Sequence, residues 1–184
     1  MKIIDNFFDL TALSELKKAI QSEITNESSA IKKSDLSTEK DHVGLDNSNY
    51  YFLNGPAKII VLENLVANEL LSADVMDGKD IMLRYHVNRA PYNARWHLDG
   101  LYAEKDELDY IGITIFLNDN WETNDGGLFV YKENANDTQG IFVEPIGNRI
   151  IINSKDLDHA VTAITNPNVI RYSLQMFINH KYLI

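Results

Sequence analysis

From about residue 80 onward, the chain alternates short apolar runs with short groups of turn-forming residues. The apolar runs are IMLRYHV, ARWH, YIGITIFLN, GLFVY, GIFVEP, NRIIIN, AVTAI and VIRYSLQMFI. The segments between them are rich in Gly, Pro, Asn and Asp, as in NRAP, NDNWETNDGG and ENANDTQG. Short strands at regular spacing are typical of β-sandwiches and barrels. Eight strands over roughly 100 residues predict a jelly-roll core at residues 80–180.

The preceding part of the chain, residues 1–79, has a helical pattern instead. The stretch DLTALSELKKAI places its leucines and isoleucine on one helical stripe, which Asp9 or Thr11 can cap. The stretch AKIIVLENLVANELLS predicts a second, buried helix, although KIIVL alone also fits a strand. Between them, residues 25–49 are polar and predict a long loop or a mobile flap.

Together these patterns predict one domain over residues 1–184 that is mainly β with flanking helices. The core at residues 80–180 is expected to be a double-stranded β-helix, the jelly-roll of cupin-like proteins. The N-terminal α-helices of residues 1–79 are expected to pack on it as a support.

Composition narrows the classes of function. The chain has 17 Lys and Arg against 27 Asp and Glu, a formal charge of −10, which argues against a nucleic-acid partner because phosphates are repelled. No apolar run has the roughly 20 residues that a membrane helix needs. The opening MKIIDNFFDL does not resemble a signal peptide, and the chain contains no cysteine for disulfides or thiolate metal sites. These features predict a cytoplasmic protein with no membrane partner.

The stretch NARWHLDGLY contains a candidate metal site. His97 and Asp99 are two residues apart, so on one strand their side chains point to the same face. His159 begins a later predicted strand, and a jelly-roll brings strands that are distant in sequence side by side. Two imidazoles and one carboxylate on one side of a metal leave positions open, which favours non-haem Fe(II). A closed structural zinc site would need a further ligand, and no cysteine supplies it.

A second pair of polar residues lies on the last predicted strand. Arg171 and Ser173 in VIRYSLQMFI are two apart, so they share a strand face. Burying an arginine in an apolar strand is costly unless it meets an anion. Its partner is either an internal Asp or Glu, or a carboxylate ligand held by two parallel hydrogen bonds.

The ordered set His-x-Asp, His and Arg-x-Ser resembles the Fe(II)/2-oxoglutarate-dependent oxygenases over about residues 80–180. The segments GITIFLNDNWETNDGGLFVY and EPIGNRIIINSKDLDHAV look like the prolyl 4-hydroxylase branch of that superfamily. The resemblance implies that His97, Asp99 and His159 bind the iron. The chain also differs from collagen-type prolyl 4-hydroxylases, which usually carry Lys at the position of Arg171.

The same resemblance implies a co-substrate site and a reaction. Arg171, with Ser173 as partner hydroxyl, matches the basic residue that holds the distal carboxylate of 2-oxoglutarate, and Tyr85 matches a tyrosine that contacts this co-substrate. The implied reaction consumes O2 and 2-oxoglutarate and hydroxylates a C–H bond of a peptidyl proline or a similar small or peptide substrate. Succinate and CO2 are the co-products, and ascorbate is a candidate reductant. Asp99 favours hydroxylation, because halogenases of this fold replace it by a small residue.

Substrate contacts are expected in the loops around the mouth of the barrel. Arg95 shares the strand face of His97 by simple alternation, and both substrate binding and a structural ion pair fit it. Tyr102 and Trp121 are further candidates, although Trp121 also fits a role in packing its turn. Two alternative functions remain open at this point. One is a cupin-type metalloenzyme that does not use 2-oxoglutarate, and the other is a non-catalytic binding module on the same fold.

Overall fold

Two antiparallel sheets face each other in the computed structural model, which describes residues 1–26, 42–43, 48–78, 81–98, 110–134, 136–153 and 157–184. The strands are β1 (Lys2–Ile4), β2 (His42–Val43), β3 (Ser48–Phe52), β4 (Met82–Arg89), β5 (Asn93–His97), β6 (Tyr110–Phe116), β7 (Phe129–Tyr131), β8 (Ile141–Val143), β9 (Ile150–Ile152), β10 (His159–Val161) and β11 (Ile170–Asn179). One sheet has the order β1-β9-β6-β11-β4-β3, and the other has the order β2-β5-β10-β7-β8. The chain is therefore mostly β, as predicted.

The eight strands from β4 to β11 correspond to the eight apolar runs of the sequence. Apart from the directly paired β3–β4 and β7–β8, consecutive strands fall in different sheets, and β11 lies between β4 and β6 in the six-stranded sheet. This interleaving is the arrangement of a jelly-roll, and it brings β5 and β10 side by side. The predicted jelly-roll core is confirmed.

Two helices cover the outer face of the six-stranded sheet. Helix α1 (Leu10–Asn26) begins after Asp9, whose carboxylate accepts a hydrogen bond from the Ala12 amide at 2.8 Å, so Asp9 caps the helix. Helix α2 (Pro56–Ala67) has no capping side chain at its own N-terminus. Instead Glu23 of α1 accepts hydrogen bonds from the amides that begin α2, those of Gly55 at 3.1 Å and Ala57 at 2.8 Å.

The larger apolar core lies between these helices and the six-stranded sheet. Its members share a position on a helix face or on the outer sheet face, and they include Leu16, Ile20, Val61, Leu65, Leu83, Ile113, Ile150, Leu174 and Met176. A smaller cluster lies between the two sheets and consists of Phe116, Phe129, Val143, Ile151 and Leu157. The inner face of the six-stranded sheet is thus only partly apolar.

The N-terminal part contributes strands that the helical pattern does not predict. Strand β1 pairs with β9 at one edge of the six-stranded sheet, and β3 pairs with β4 at the other. Strand β3 overlaps the end of the predicted polar loop at residues 25–49. Strand β2 lies within that loop and pairs with β5. The rest of that loop lies outside the described residues, so the flap stays a prediction. Within the described ranges no helix is long and apolar enough to cross a membrane.

Candidate active site

Two histidines meet on neighbouring strands of the five-stranded sheet. His97 ends β5 and His159 begins β10, and they are direct register partners in the antiparallel pair. Their ring centroids lie 4.3 Å apart, and His159 is buried at 3 % exposure. His159 also stacks on Phe129, with the ring centroids 5.2 Å apart. The structure therefore brings together the two predicted imidazole ligands.

Backbone carbonyl groups orient both imidazole rings. Nδ1 of His97 lies 2.7 Å from the carbonyl oxygen of Arg95, and Nδ1 of His159 lies 2.9 Å from that of Leu157. A carbonyl oxygen only accepts hydrogen bonds, so Nδ1 carries the proton in each neutral ring. The lone pair then lies on Nε2, and a ring fixed in this way is the usual form of a metal-binding histidine.

The third predicted ligand, Asp99, lies outside the described residues, as does Tyr102. Within the described ranges no group of three His, Asp or Glu side chains is arranged to hold a metal. The paired histidines thus form the described part of the predicted triad, and the role of Asp99 stays a prediction.

Arg171 is buried on the inner face of β11 at 4 % exposure, and Ser173 lies beside it at 3 %. The Arg171 Nη1 atom lies 3.4 Å from Ser173 Oγ, and Nε has no hydrogen-bond partner among the described residues. No carboxylate in the described part of the chain forms a salt bridge with Arg171. Burial lowers the pKa of Arg171 to about 10, an effect that nearby Tyr92 partly opposes. The guanidinium is a buried cation with unused donors, as a site for a carboxylate ligand requires.

Aromatic and glycine residues shape the space around Arg171. Its guanidinium carbon lies 5.0 Å from the centroid of the Phe116 ring. Gly127 adopts φ +61°, and a Cβ there would lie 3.1 Å from the Arg171 side chain and equally close to Trp121. The Trp121 Nε1 donates to the Gly126 carbonyl at 3.0 Å, so Trp121 packs the turn before β7. The turn residues therefore hold the arginine in place.

A shared apolar cluster connects Arg171 with the histidine pair. Phe116, which lies under the guanidinium, belongs to the same buried cluster as Phe129, on which His159 stacks. The Arg171 guanidinium and the His159 imidazole thus both contact one cluster between the two sheets. A dicarboxylate bound at both ends would lie in this water-poor interior.

The structure does not bring Tyr85 to Arg171. Tyr85 pairs with Leu174, whereas Asn88 pairs with Arg171, so the tyrosine lies on the opposite face of the sheet. There it stacks on Tyr172 with the ring centroids 6.0 Å apart, next to the core under the helices, and its pKa is raised by burial and by neighbouring tyrosines. The predicted contact of Tyr85 with the co-substrate is therefore wrong, because the resemblance placed the residue without the strand register.

Arg95 is exposed, and a β-bulge explains its position. His159 pairs with His97, whereas Val161 pairs with Ala94, so β5 contains one residue more than β10 over this interval. The bulge breaks the alternation that placed Arg95 on the face of His97. Its backbone carbonyl accepts the His97 hydrogen bond, and the predicted substrate contact of its side chain stays a prediction.

Sequence reasoning missed Tyr92 and Gly127. Tyr92 is buried at 5 % exposure in the turn before β5, and its carbonyl accepts a hydrogen bond from the Ile164 amide at 3.0 Å. The aromatic residue that follows Pro91 in a connecting turn was the available signal, since such turns are usually polar. The signal at Gly127 is the Gly-Gly pair that ends the turn segment NDNWETNDGG.

Comparisons with known proteins show the family and the fold of this chain. The 2OG-Fe(II) oxygenase superfamily profile matches residues 82–179, just over half of the chain. A Pseudomonas putida prolyl-4-hydroxylase superposes with a TM-score of 0.69 at 17% identity, covering 97% of this chain and 91% of that chain. A Trichoplax adhaerens prolyl hydroxylase, solved with a hypoxia inducible factor peptide fragment, gives 0.67 at 13% identity, covering 98% and 83%.

A viral collagen prolyl hydroxylase from Paramecium Bursaria Chlorella virus-1, solved with 2-oxoglutarate, gives a TM-score of 0.58 at 13% identity and covers 96% of this chain and 93% of that chain. At these identities the structural matches establish the fold alone. No curated protein matches the sequence. From the profile match over residues 82–179, the chain belongs to the 2OG-Fe(II) oxygenase superfamily.

Proposed function

We propose that this protein is an Fe(II)- and 2-oxoglutarate-dependent dioxygenase that hydroxylates a C–H bond of a peptidyl proline or a similar small or peptide substrate. The observation that carries the proposal is Arg171, a buried guanidinium with no carboxylate partner among the described residues. It contacts the same apolar cluster on which His159 of the oriented histidine pair stacks. One dicarboxylate satisfies both ends of this space.

The residues present fit the metal and the co-substrate. His97 and His159, with Asp99 as third ligand, would hold Fe(II), because two imidazoles and a carboxylate leave coordination positions open. Arg171 and Ser173 would hold the distal carboxylate of 2-oxoglutarate by charge-assisted hydrogen bonds. When bound, iron and 2-oxoglutarate supply the oxidising chemistry that turns O2 and 2-oxoglutarate into succinate, CO2 and a hydroxyl group on the substrate.

The chain's own residues orient the reactants and exclude water. The carbonyl groups of Arg95 and Leu157 fix the imidazole planes before any ligand binds. Phe116 and Phe129 keep the space between guanidinium and imidazoles apolar, which strengthens each polar contact made there. These residues thus orient the imidazole rings and exclude water from the space between the two sheets.

Structural neighbours support the proline part of the proposal. Two of them are a bacterial prolyl-4-hydroxylase and a prolyl hydroxylase solved with a peptide fragment. We therefore propose a proline-containing peptide or a small relative as substrate. We further propose a cytoplasmic enzyme without a nucleic-acid partner, based on the absence of cysteine and the formal charge of −10.

The test is succinate formation from 2-oxoglutarate with Fe(II), O2 and ascorbate, with and without a panel of proline-containing peptides. Omitting ascorbate in a parallel series shows whether it is needed as a reductant. Stimulation of succinate formation by a peptide, with matching hydroxylation by mass spectrometry, is the expected result. Absence of 2-oxoglutarate binding would instead favour a cupin-type metalloenzyme or a binding module.

A further inference from the structure

An arginine in an aromatic setting lies on the inner face of the six-stranded sheet, apart from Arg171. The guanidinium carbon of Arg84 lies 5.4 Å from the centroid of the Tyr50 ring, 5.5 Å from that of Phe52 and 5.8 Å from that of Phe177. The three rings come from β3 and β11, on the two sides of β4. We call Arg84 and these rings the Arg84 cage.

The strand register places the Arg84 cage on the same face as the proposed co-substrate site. Arg84 pairs with Gln175 of β11, and the next inward-facing pair along these strands is His86 with Ser173. Ser173 pairs in turn with Phe116, which belongs to the cluster between the two sheets. The Arg84 side chain therefore extends from the inner face of the jelly-roll.

The Arg84 cage lies close to the histidine pair in position along the strand direction of the jelly-roll. Strands β4 and β5 run back from one turn into opposite sheets, and His97 lies as many residues after Asn93 as Tyr85 lies before Arg89. The bulge in β5 shortens that side by about one residue, which brings His97 level with His86, the inward-facing residue next to Arg84 on β4. Aligned sheets lie about 10 Å apart, so the cage lies across the interior from the proposed metal ligands.

The charge of Arg84 has no acidic partner in the described part of the chain. Its one hydrogen bond there is from Nε to the Met82 sulfur at 3.0 Å, which leaves both Nη atoms as donors. Rings that stack on a guanidinium hold its plane and leave its edge available for a planar anion. Among the described residues, Arg84 is thus a cation without an acidic partner, in a protein with a formal charge of −10.

We propose that the Arg84 cage binds a carboxylate of the substrate, so that the substrate is an acidic proline derivative or peptide. This inference rests on the proposed function, because it assumes that the inner face near His97 is where the substrate binds. The carboxylate is either the terminal group of the proline unit itself or the side chain of an adjacent acidic residue. Both sources offer the same planar anion to the Nη edge of Arg84.

The experiment compares acidic and neutral probes on the protein loaded with Mn(II) and 2-oxoglutarate without oxygen, so that no turnover occurs. N-acetyl-L-proline and its amide test a terminal carboxylate, and N-acetyl-glutamyl-prolinamide and its glutaminyl counterpart test a side-chain carboxylate. Dissociation constants are measured by calorimetry for wild type, Arg84→Gln and Arg84→Lys. Arg89→Gln is the matched control, since Arg89 lies on the same strand but is exposed on the other face.

In one of the two pairs, the acidic probe should bind wild type about tenfold or more tightly than its neutral partner. Arg84→Gln should remove this preference, Arg84→Lys should retain part of it, and Arg89→Gln should leave it unchanged. The inference is overturned by equal binding within both pairs, by a preference that survives Arg84→Gln, or by no binding of either acid at millimolar concentration. Binding of 2-oxoglutarate is measured in the same proteins, and its absence in wild type marks failure of the proposed function instead.

Discussion

Arg171 allows a test that separates a ligand site from an internal ion pair. We consider Arg171→Met, because methionine is unbranched and fills much of the volume of the arginine stem. The guanidinium is 4 % exposed, and its Nε atom lacks a partner among the described residues. The substitution removes a charge that the described structure buries without compensation.

The magnitude follows from burial. The pKa of Arg171 is lowered by burial from its ordinary value to about 10. Since a tenfold change in acidity is about 1.4 kcal/mol, keeping the buried guanidinium charged costs the ligand-free protein roughly 3 kcal/mol. A bound carboxylate relieves that cost, and removing one partner of a buried charge pair costs roughly 3–5 kcal/mol. Arg171→Met should therefore weaken 2-oxoglutarate binding by a factor on the order of 100 or more.

The ligand-free protein should respond in the opposite direction. Without 2-oxoglutarate, Arg171→Met should melt at the same temperature as wild type or higher, because an uncompensated buried charge is gone. Calorimetric titration with 2-oxoglutarate, thermal unfolding and metal content are measured for Arg171→Met and for the exposed control Arg89→Met. If Arg171 formed an internal ion pair, the variant would lose roughly 3–5 kcal/mol of stability. At about 2–4 °C per kcal/mol, a fall of about 6 °C or more with unchanged 2-oxoglutarate affinity would refute the reasoning.

Three further outcomes are expected. His159→Ala should lose stoichiometric Mn(II) or Fe(II) in equilibrium dialysis, and full metal retention would contradict its role as a ligand. Glu23→Ala should cost about 1 kcal/mol in denaturant unfolding because it leaves the first amides of α2 uncapped, whereas Glu15→Ala on the exposed side of α1 should be near neutral. The hydrogen bond from Arg149 lowers the pKa of Asp5, so its stabilisation exists above the ordinary carboxyl pKa and disappears as pH falls through the lowered value. Asp5→Asn should therefore lower stability by at most about 1 kcal/mol at neutral pH and not at all in acid.

The parts of the fold that followed from the sequence are those with a local pattern. The runs that became β6, β9 and β11 are apolar enough to be recognised, because both faces of these strands are largely buried. Asp9 was one of two candidate caps for α1, and the structure selects it. The histidine pair was predictable because β-strand alternation and the jelly-roll arrangement together specify which positions meet.

The parts that did not follow depend on pairing partners far away in the chain. Strand β1 exists because it pairs with β9, and β3 because it pairs with β4, and neither strand has an alternating pattern strong enough on its own. The error at Arg95 came from a bulge, and that at Tyr85 from an unknown register. A shift by one residue reverses the face of a side chain, so a residue's role cannot be assigned from its spacing alone.

The contrast between the two faces of β11 argues most directly for function. On the outer face, Leu174, Met176 and Ile178 are each fully buried among apolar neighbours under the helices. On the inner face, the same strand buries Arg171 and Ser173, although an apolar pair there would fold at lower cost. When one face of a strand is packed as apolar core, polar residues buried on its other face indicate a ligand site. The departing face points into the space between the two sheets, where His159 also stacks on Phe129.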